Sequence, residues 1–259
     1  MPPTTRRRRV PSVRATVPKL SRTEIVAAAV AIADHEGLDA VSMRRVAGAI
    51  GAGTMSLYRH VTDRDELLDA MLDAVYFELD LVADPAQHWR PRVEQIARSQ
   101  RRMLRAHPWV ASLVGSRPPL LPSFLRLFEA SLGALLDADL DVTEAAGVSS
   151  TINAYVIGHS LLEHAEHEAR RRTGLTKRQW RARHAPFVRQ LLDSGTYPAI
   201  AQYVRHADDI DPDTAFNTGL SAILDSAERL VALRPPPRWR RRRAPRPAPA
   251  CDTGPRSPA

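Results

Sequence analysis

The sequence predicts an all-α protein, with a small N-terminal helix-turn-helix unit of three helices and a larger helical body. Three observations carry that expectation. Ala, Leu and Arg abound while aromatic residues make up only 5% of the chain, a composition that favours helix. Apolar residues recur at helical spacing in segment after segment, and no run alternates convincingly enough to read as a strand. Helix start and stop signals punctuate these segments at lengths suited to helices.

The elements follow in order. Leu20-Ser21-Arg22-Thr23-Glu24 has the form of a capping box, with Ser21 as N-cap and Glu24 reaching back to it. The helix it opens runs to about His35, with Ile25, Ala28, Ala29, Ile32 and Ala33 as its apolar stripe. Glu36-Gly37 closes it, since Gly37 can take a positive φ. Ser42 caps a short helix from Met43 to Ile50, with Val46, Ala47 and Ile50 inward, and Gly51 breaks it. A third short helix is expected over about Thr54–His60, built around Leu57. Thr62-Asp63-Arg64-Asp65-Glu66 then starts a long helix through Leu67, Leu68, Met71, Leu72, Val75 and Leu79. Beyond Pro91, helices are expected over about 92–106, 109–114, 122–136, 143–172, 177–192, 197–205 and 212–233, and Pro235-Pro236-Pro237 ends the fold.

Charge sorts the chain further. The formal net charge is +8, but the excess sits at the ends. Residues 1–20 carry six basic side chains and no acidic one, and residues 234–259 carry eight arginines against one aspartate. Both stretches are rich in Pro and lack apolar periodicity, so a disordered basic arm and a disordered Arg/Pro-rich tail are expected. Such segments either favour a polyanion by releasing counterions or serve only to solubilise. Between them, 21–66 is expected as the helix-turn-helix domain and 67–233 as the body. The single Cys251 leaves no disulfide framework. No apolar run reaches the roughly 18 residues of a membrane span, and the N-terminal stretch lacks the apolar segment of a secretory signal. A cytoplasmic protein without a membrane partner is expected.

Two short helices joined through glycine, the second bearing exposed polar and aromatic residues, form helix-turn-helix geometry. Ala47 and Gly51 are small enough for the helices to cross, and Leu57 fills the angle between them. The outward residues suit a duplex. Arg44 and Arg59 can reach guanine O6 and N7 or phosphate, Thr54 and Ser56 can bond bases or phosphate, and Met55 can meet a thymine methyl. Tyr58 and His60 suit phosphate oxygens, and Arg64 stands at a helix start whose amides attract a phosphate. The expected DNA-facing set is therefore Ser42, Arg44, Arg45, Thr54, Met55, Ser56, Tyr58, Arg59, His60 and Arg64. The other reading has Tyr58 and His60 merely covering a packed helix. Residues 21–66 hold five basic against seven acidic side chains, so attraction to DNA depends on where the arginines stand.

These residues carry a specific resemblance. Ile25 and Ala29 before Glu36-Gly37, then Ser42-x-x-x-Val46-Ala47, Gly51-Ala52-Gly53, Leu57-Tyr58-Arg59-His60-Val61 and Arg64-x-Glu66-Leu67 resemble the DNA-binding domain of the TetR family of bacterial transcriptional repressors. The resemblance implies a recognition helix at about Thr54–His60, with DNA contacts from Arg44 and Arg64. Where the tetracycline-repressor branch tends to have Trp after the Tyr, this chain has Arg59, so that branch's operator is not carried over. The body is similar to the same branch through His107-Pro108-Trp109 and Gly115-Ser116-Arg117-Pro118. Tetracycline sensors place a metal-binding His two residues before that Gly. Here Leu113 stands there, which argues against a magnesium–tetracycline inducer.

The resemblance implies a homodimer that binds a palindromic operator on double-stranded DNA and is released by a small-molecule effector, through movement of the Arg64–Leu81 helix. The dimer face is expected on Ala154, Gly158, Leu161 and Ala165 and on Phe216, Leu220, Ile223, Leu224, Ala227, Leu230 and Val231. Packing within one subunit is the alternative for both stripes. An effector pocket is expected among Leu104, Trp109, Leu113, Phe124, Phe128 and Tyr155, residues that equally suit plain core. His159, Glu163, His164, Glu166, His167 and Glu168 could hold a divalent metal at i, i+4 spacing, but no H-E-x-x-H pattern is present and a solvated helix face is the stronger reading. No metal site and no cofactor is expected. Two other functions stay open at this point: a non-specific architectural DNA binder driven by the basic ends, and a helical enzyme. The second lacks a phosphate loop, a GxGxxG after a strand, a G-x-S-x-G and paired cysteines.

Overall fold

The computed structural model describes residues 20–81, 86–114, 120–207 and 210–233. The basic stretch ahead of Leu20, the stretch 234–259 with Cys251, and Gly115–Pro118 lie outside the described residues. Every element among the described residues is helical: α1 Arg22–Glu36, α2 Met43–Ala49, α3 Thr54–Leu57, α4 Arg64–Phe77, α5 Trp89–Ala106, α6 Trp109–Val114, α7 Pro122–Leu136, α8 Val142–Thr173, α9 Lys177–Asp193, α10 Pro198–His206 and α11 Pro212–Ala232. A single 3-10 turn, Leu38–Ala40, follows α1. The chain divides into two compact units between Ala74 and Val75, within α4.

In the first unit the capping box at Ser21 forms as the sequence requires. The Glu24 amide donates to Ser21 Oγ at 3.2 Å, and the Ser21 amide donates to Glu24 Oε2 at 2.9 Å. Gly37 closes α1 at φ 87°. Ile25, Val26, Ala29, Ile32 and Ala33 of α1 are buried. Val41, Met43, Val46, Ala47, Leu57, Val61, Leu67 and Met71 of the same unit are buried as well, and α1 packs on α2 and on the Leu38–Ala40 turn. Val26 takes the place in the stripe expected for Ala28, which is half-buried. Each fully buried Val, Leu, Ile or Met side chain of this set contributes roughly 1.5–3 kcal/mol by leaving water.

In the second unit α5, α7 and α8 pack on one another, and α11 packs on α8. Helix α5 begins at Trp89, earlier than the sequence places it, because Pro91 falls in the first turn, where its missing N–H costs nothing. Its buried face includes Trp89, Val93, Ile96, Ala97, Met103 and Leu104. Phe216, Leu220, Leu224 and Ala227 of α11 are buried within the subunit, which corrects the expectation that they form a dimer face. Tyr155 of α8 stacks on Phe216 at 5.5 Å and donates its hydroxyl to the Phe216 carbonyl at 3.0 Å. Gly219 makes this possible, since a Cβ there would stand 2.6 Å from Tyr155 Cζ and overlap the ring. Helices α9 and α10 contribute one buried residue, Ala201, and leave Trp180, Phe187 and Tyr203 exposed.

Candidate nucleic-acid interface and ligand cavity

Helix α2 starts at Ser42, whose hydroxyl accepts the Arg45 amide at 3.2 Å. The chain turns out of α2 at Gly51, which sits at φ 65° with nothing within 4 Å of where a Cβ would stand. Gly51 is therefore there for its backbone angle, which corrects the expectation of a close approach between helices at this residue. The Ala52 amide donates back to the Ala47 carbonyl at 2.9 Å and ties the turn to α2. Leu57 is fully buried. Regular helix ends there, and Tyr58, Arg59 and His60 continue as a turn in which the His60 amide donates to Leu57 O at 2.8 Å. The second helix is thus shorter than the Thr54–His60 span expected.

Around buried Leu57 the expected residues divide by what they already bond. Met55 is 78% exposed and Tyr58 44% exposed. Arg44 and Arg59 are exposed, and Thr54, Ser56 and His60 are half-buried. Arg59 makes one local bond, from Nη2 to Ser56 Oγ at 3.2 Å. Arg45 is paired with Glu36, and the hydrogen bond from Arg45 holds the Glu36 carboxyl below the usual carboxylate range. Arg64 turns back onto its own unit, with Nε donating to the Val41 carbonyl at 3.2 Å. The Arg44 side chain makes no hydrogen bond or ion pair among the described residues.

The start of α4 is closed off by carboxylates. Asp63 accepts the Glu66 amide at 2.8 Å, and Glu66 accepts the Thr62 amide and hydroxyl, both at 2.7 Å. Those bonds from Thr62 lower the Glu66 pKa, and Arg22 pairs with the same carboxylate at 2.9 Å. The Thr62 and Glu66 amides, which an incoming phosphate would otherwise meet, are taken. Sequence reading missed this arrangement, although the Asp63-x-x-Glu66 spacing carries its signal.

The second unit contains a cavity of about 370 Å³ among α5, α7 and α8. Phe124 and Phe128 border it, together with Leu120, Leu125, Ile96, Gln100 and Asn153. The other residues expected to line a pocket do not border this cavity. Leu104 and Trp109 are packed in the core, Leu113 is half-buried on α6, and Tyr155 is held against α11. Tyr76 of α4 meets Phe124 edge-on at 5.8 Å. Its hydroxyl lies near Gln100 without completing a hydrogen bond of good geometry, and burial pushes its pKa up to about 12.

Away from the cavity, Glu163 is clamped by two arginines. Arg101 Nε donates to it at 3.2 Å, and Arg105 Nε and Nη2 donate at 3.1 and 2.8 Å. Burial would raise the Glu163 pKa, but the hydrogen bonds and charges of Arg101 and Arg105 outweigh it and hold it at about 2. Arg101 also stacks over Phe216 at 4.3 Å and reaches Asp213 at 2.9 Å. His159, half-buried beside them, has its pKa lowered by burial. Glu163 is therefore occupied as an ion-pair partner, and among the described residues no group of three or more His, Cys, Asp or Glu is placed to hold a metal. Among the described residues no helix is long and apolar enough to cross a membrane.

Comparison with known proteins agrees with both units. Residues 25–71 match the family described as bacterial regulatory proteins, tetR family, and residues 82–230 match the tetracyclin repressor-like C-terminal domain. The HTH-type transcriptional repressor DrrR1 of Streptomyces coeruleorubidus is 42% identical over 224 residues, covering 85% of this chain and 82% of that protein. An HTH-type transcriptional regulator of Saccharopolyspora erythraea is 34% identical over 71% of this chain and 78% of its own. Among solved structures, ActR of Streptomyces coelicolor in complex with actinorhodin matches with a TM-score of 0.68 and 30% identity, over 82% of this chain and 97% of that one. With a reading head of two crossed helices, a helical body and relatives matched across most of its length, the chain belongs to the TetR family of DNA-binding transcriptional regulators.

Proposed function

We propose that this regulator is a homodimeric repressor that binds a palindromic operator and is released by a small effector held in the α5–α7–α8 cavity. The observation that carries the reading is the exposed face around buried Leu57, where Arg44, Met55, Tyr58 and Arg59 stand on the α2–α3 unit with little else to bond. Tyr58 and His60 anchor phosphates, while Thr54, Met55, Ser56 and Arg59 read base edges. Ser42, Arg45 and Arg64 act less directly. Ser42 caps α2, and the two arginines reach DNA by exchanging the Glu36 carboxylate and the Val41 carbonyl for phosphate. Basic residues in 1–20 and 234–259 add affinity that is sensitive to salt rather than to sequence.

A second copy of the chain is required by geometry, because two recognition helices about 34 Å apart span successive major grooves where one short helix binds weakly. Ala154, Leu161 and Ala165, spaced along one face of α8 and all exposed, together with Leu230 of α11, supply apolar surface for it. The complex of ActR with actinorhodin supports a small-molecule effector for a body of this fold. Release then follows if the effector binds better to the conformation that does not fit the operator. The protein works in the cytoplasm, by binding rather than turnover.

The test is operator mapping on the DNA that flanks the protein's own gene, using the full chain. Tyr58→Ala and Arg44→Ala are expected to lose specific binding while the dimer persists on a sizing column. Specific binding retained in both variants would overturn the assignment of the face. Removing residues 1–19 and 234–259 separates this reading from non-specific architectural binding. A repressor keeps its sequence discrimination while its affinity and salt slope fall; an architectural binder loses binding as a whole.

A further inference from the structure

The lining of the cavity among α5, α7 and α8 has two chemically distinct parts, one apolar and one polar. Leu120, Phe124, Leu125 and Phe128 line one with hydrocarbon. In the other, where Ser131, Ser149 and Ser150 also stand, Gln100 Nε2 donates to Asn153 Oδ1 at 2.6 Å across the α5–α8 contact, and both residues border the cavity. That bond uses one donor of Gln100 and the carbonyl of Asn153. An amide pair joined in this way keeps a further acceptor, the Gln100 carbonyl, and a further donor, the Asn153 amino group. Among the described lining residues none is charged.

We propose that the cavity selects a neutral, largely aromatic ligand with one hydroxyl or carbonyl group, which bonds the Gln100–Asn153 amide pair while its rings lie against Phe124 and Phe128. The proposal rests on the ligand-responsive reading above and adds the chemical class of the ligand. An anion or a cation entering this site loses hydration and meets no opposite charge among the described lining residues, so it is disfavoured. A pure hydrocarbon fills the apolar part but leaves two buried amide groups without partners, and binds less well for that reason. Selectivity between a hydroxylated ligand and its bare hydrocarbon is assigned to Gln100 and Asn153, which offer an acceptor and a donor from two different helices, ahead of the single hydroxyls of Ser131, Ser149 and Ser150.

The test uses three fluorescent probes of one ring system on the full-length protein: pyrene, 1-hydroxypyrene and 1-pyrenecarboxylate. Titration at neutral pH is expected to rank 1-hydroxypyrene first, with the carboxylate weaker by about tenfold or more. Gln100→Leu and Asn153→Ala are each expected to remove most of the preference for 1-hydroxypyrene over pyrene while pyrene still binds. Reading a ratio of two ligands guards against a variant that simply packs badly, since that fault lowers both affinities together. The carboxylate binding tightest, a preference unchanged in both variants, or no binding of any probe would overturn the proposal. Repeating the titrations on the operator complex tests the other reading separately. If 1-hydroxypyrene binds with the expected preference yet leaves the operator occupied, ligand release fails and the assignment of the cavity stands.

Discussion

Arg44 and Arg101 are the same side chain in opposite circumstances, and the difference between them separates the two units. Arg44 stands exposed on α2, and its side chain bonds nothing among the described residues. Arg101 lies on α5 with its side chain 7% exposed, joined to Glu163 and Asp213 and stacked over Phe216. In the first unit Arg44 is left unpaired while Arg22 and Arg45 are ion-paired, and an unpaired exposed charge is what the proposed DNA-facing surface calls for. In the second, every buried charge at this cluster is answered from within. Removing one partner there leaves the other charge buried and uncompensated, whereas removing Arg44 disturbs nothing inside the fold.

The largest expected effect follows from breaking the buried cluster. Glu163→Gln is expected to lower unfolding stability by about 3 kcal/mol in urea titrations near neutral pH. Its pH dependence has a definite sign. Glu163 has a folded pKa depressed to about 2 from an ordinary 4.5, so its contribution is fully present above the ordinary value and is lost as pH falls towards the folded one. The parent should therefore lose stability more steeply than Glu163→Gln between about pH 4.5 and about 2. Parallel curves for the two proteins in that window would show that the ion pairs contribute nothing net.

A smaller effect is expected at the turn of the reading head. Gly51→Ala places a side chain at φ 65°, a conformation that costs an L-residue about 1–2 kcal/mol, with no steric clash added. The loss of melting temperature should be modest, and DNA binding should survive once the variant is folded. Tyr76→Phe goes the other way. It removes a buried hydroxyl that completes no good hydrogen bond, so thermal stability should be unchanged or rise by about 1 kcal/mol. A loss of stability there would show that Gln100 satisfies the hydroxyl after all. The smallest effect belongs to Arg44→Ala. Stability should stay within about 0.5 kcal/mol of the parent, which makes it the cleanest variant for separating DNA binding from folding.

The first unit was legible in the sequence to an unusual degree because its determinants are local. A capping box needs only Ser21 and Glu24, and a left-handed turn needs only Gly51. An apolar stripe needs only the helical repeat that puts Ile25, Ala29 and Ile32 on one side. Where the reading fell short, a longer-range partner had intervened. Arg45 and Arg64 looked free until Glu36 and the Val41 carbonyl came into reach of them. Of the residues expected to line a pocket, Phe124 and Phe128 border the cavity, and the others were placed elsewhere for the same reason on a larger scale. Leu104, Trp109 and Tyr155 have the right chemistry to line a cavity, but packing sent the first two into the core and the third onto α11.

By itself, then, the sequence determined the helices, their caps, the helix-turn-helix turn and the face around Leu57, because each depends on residues within a few positions of one another. Tertiary structure alone decided that α11 spends Phe216, Leu220 and Leu224 inside the subunit. It alone set Gln100 of α5 opposite Asn153 of α8 at the edge of a cavity, and closed Arg101 and Arg105 on Glu163. Those outcomes depend on which helices pack together and at what rotation, and helical periodicity gives a stripe its side without naming the neighbour that will cover it.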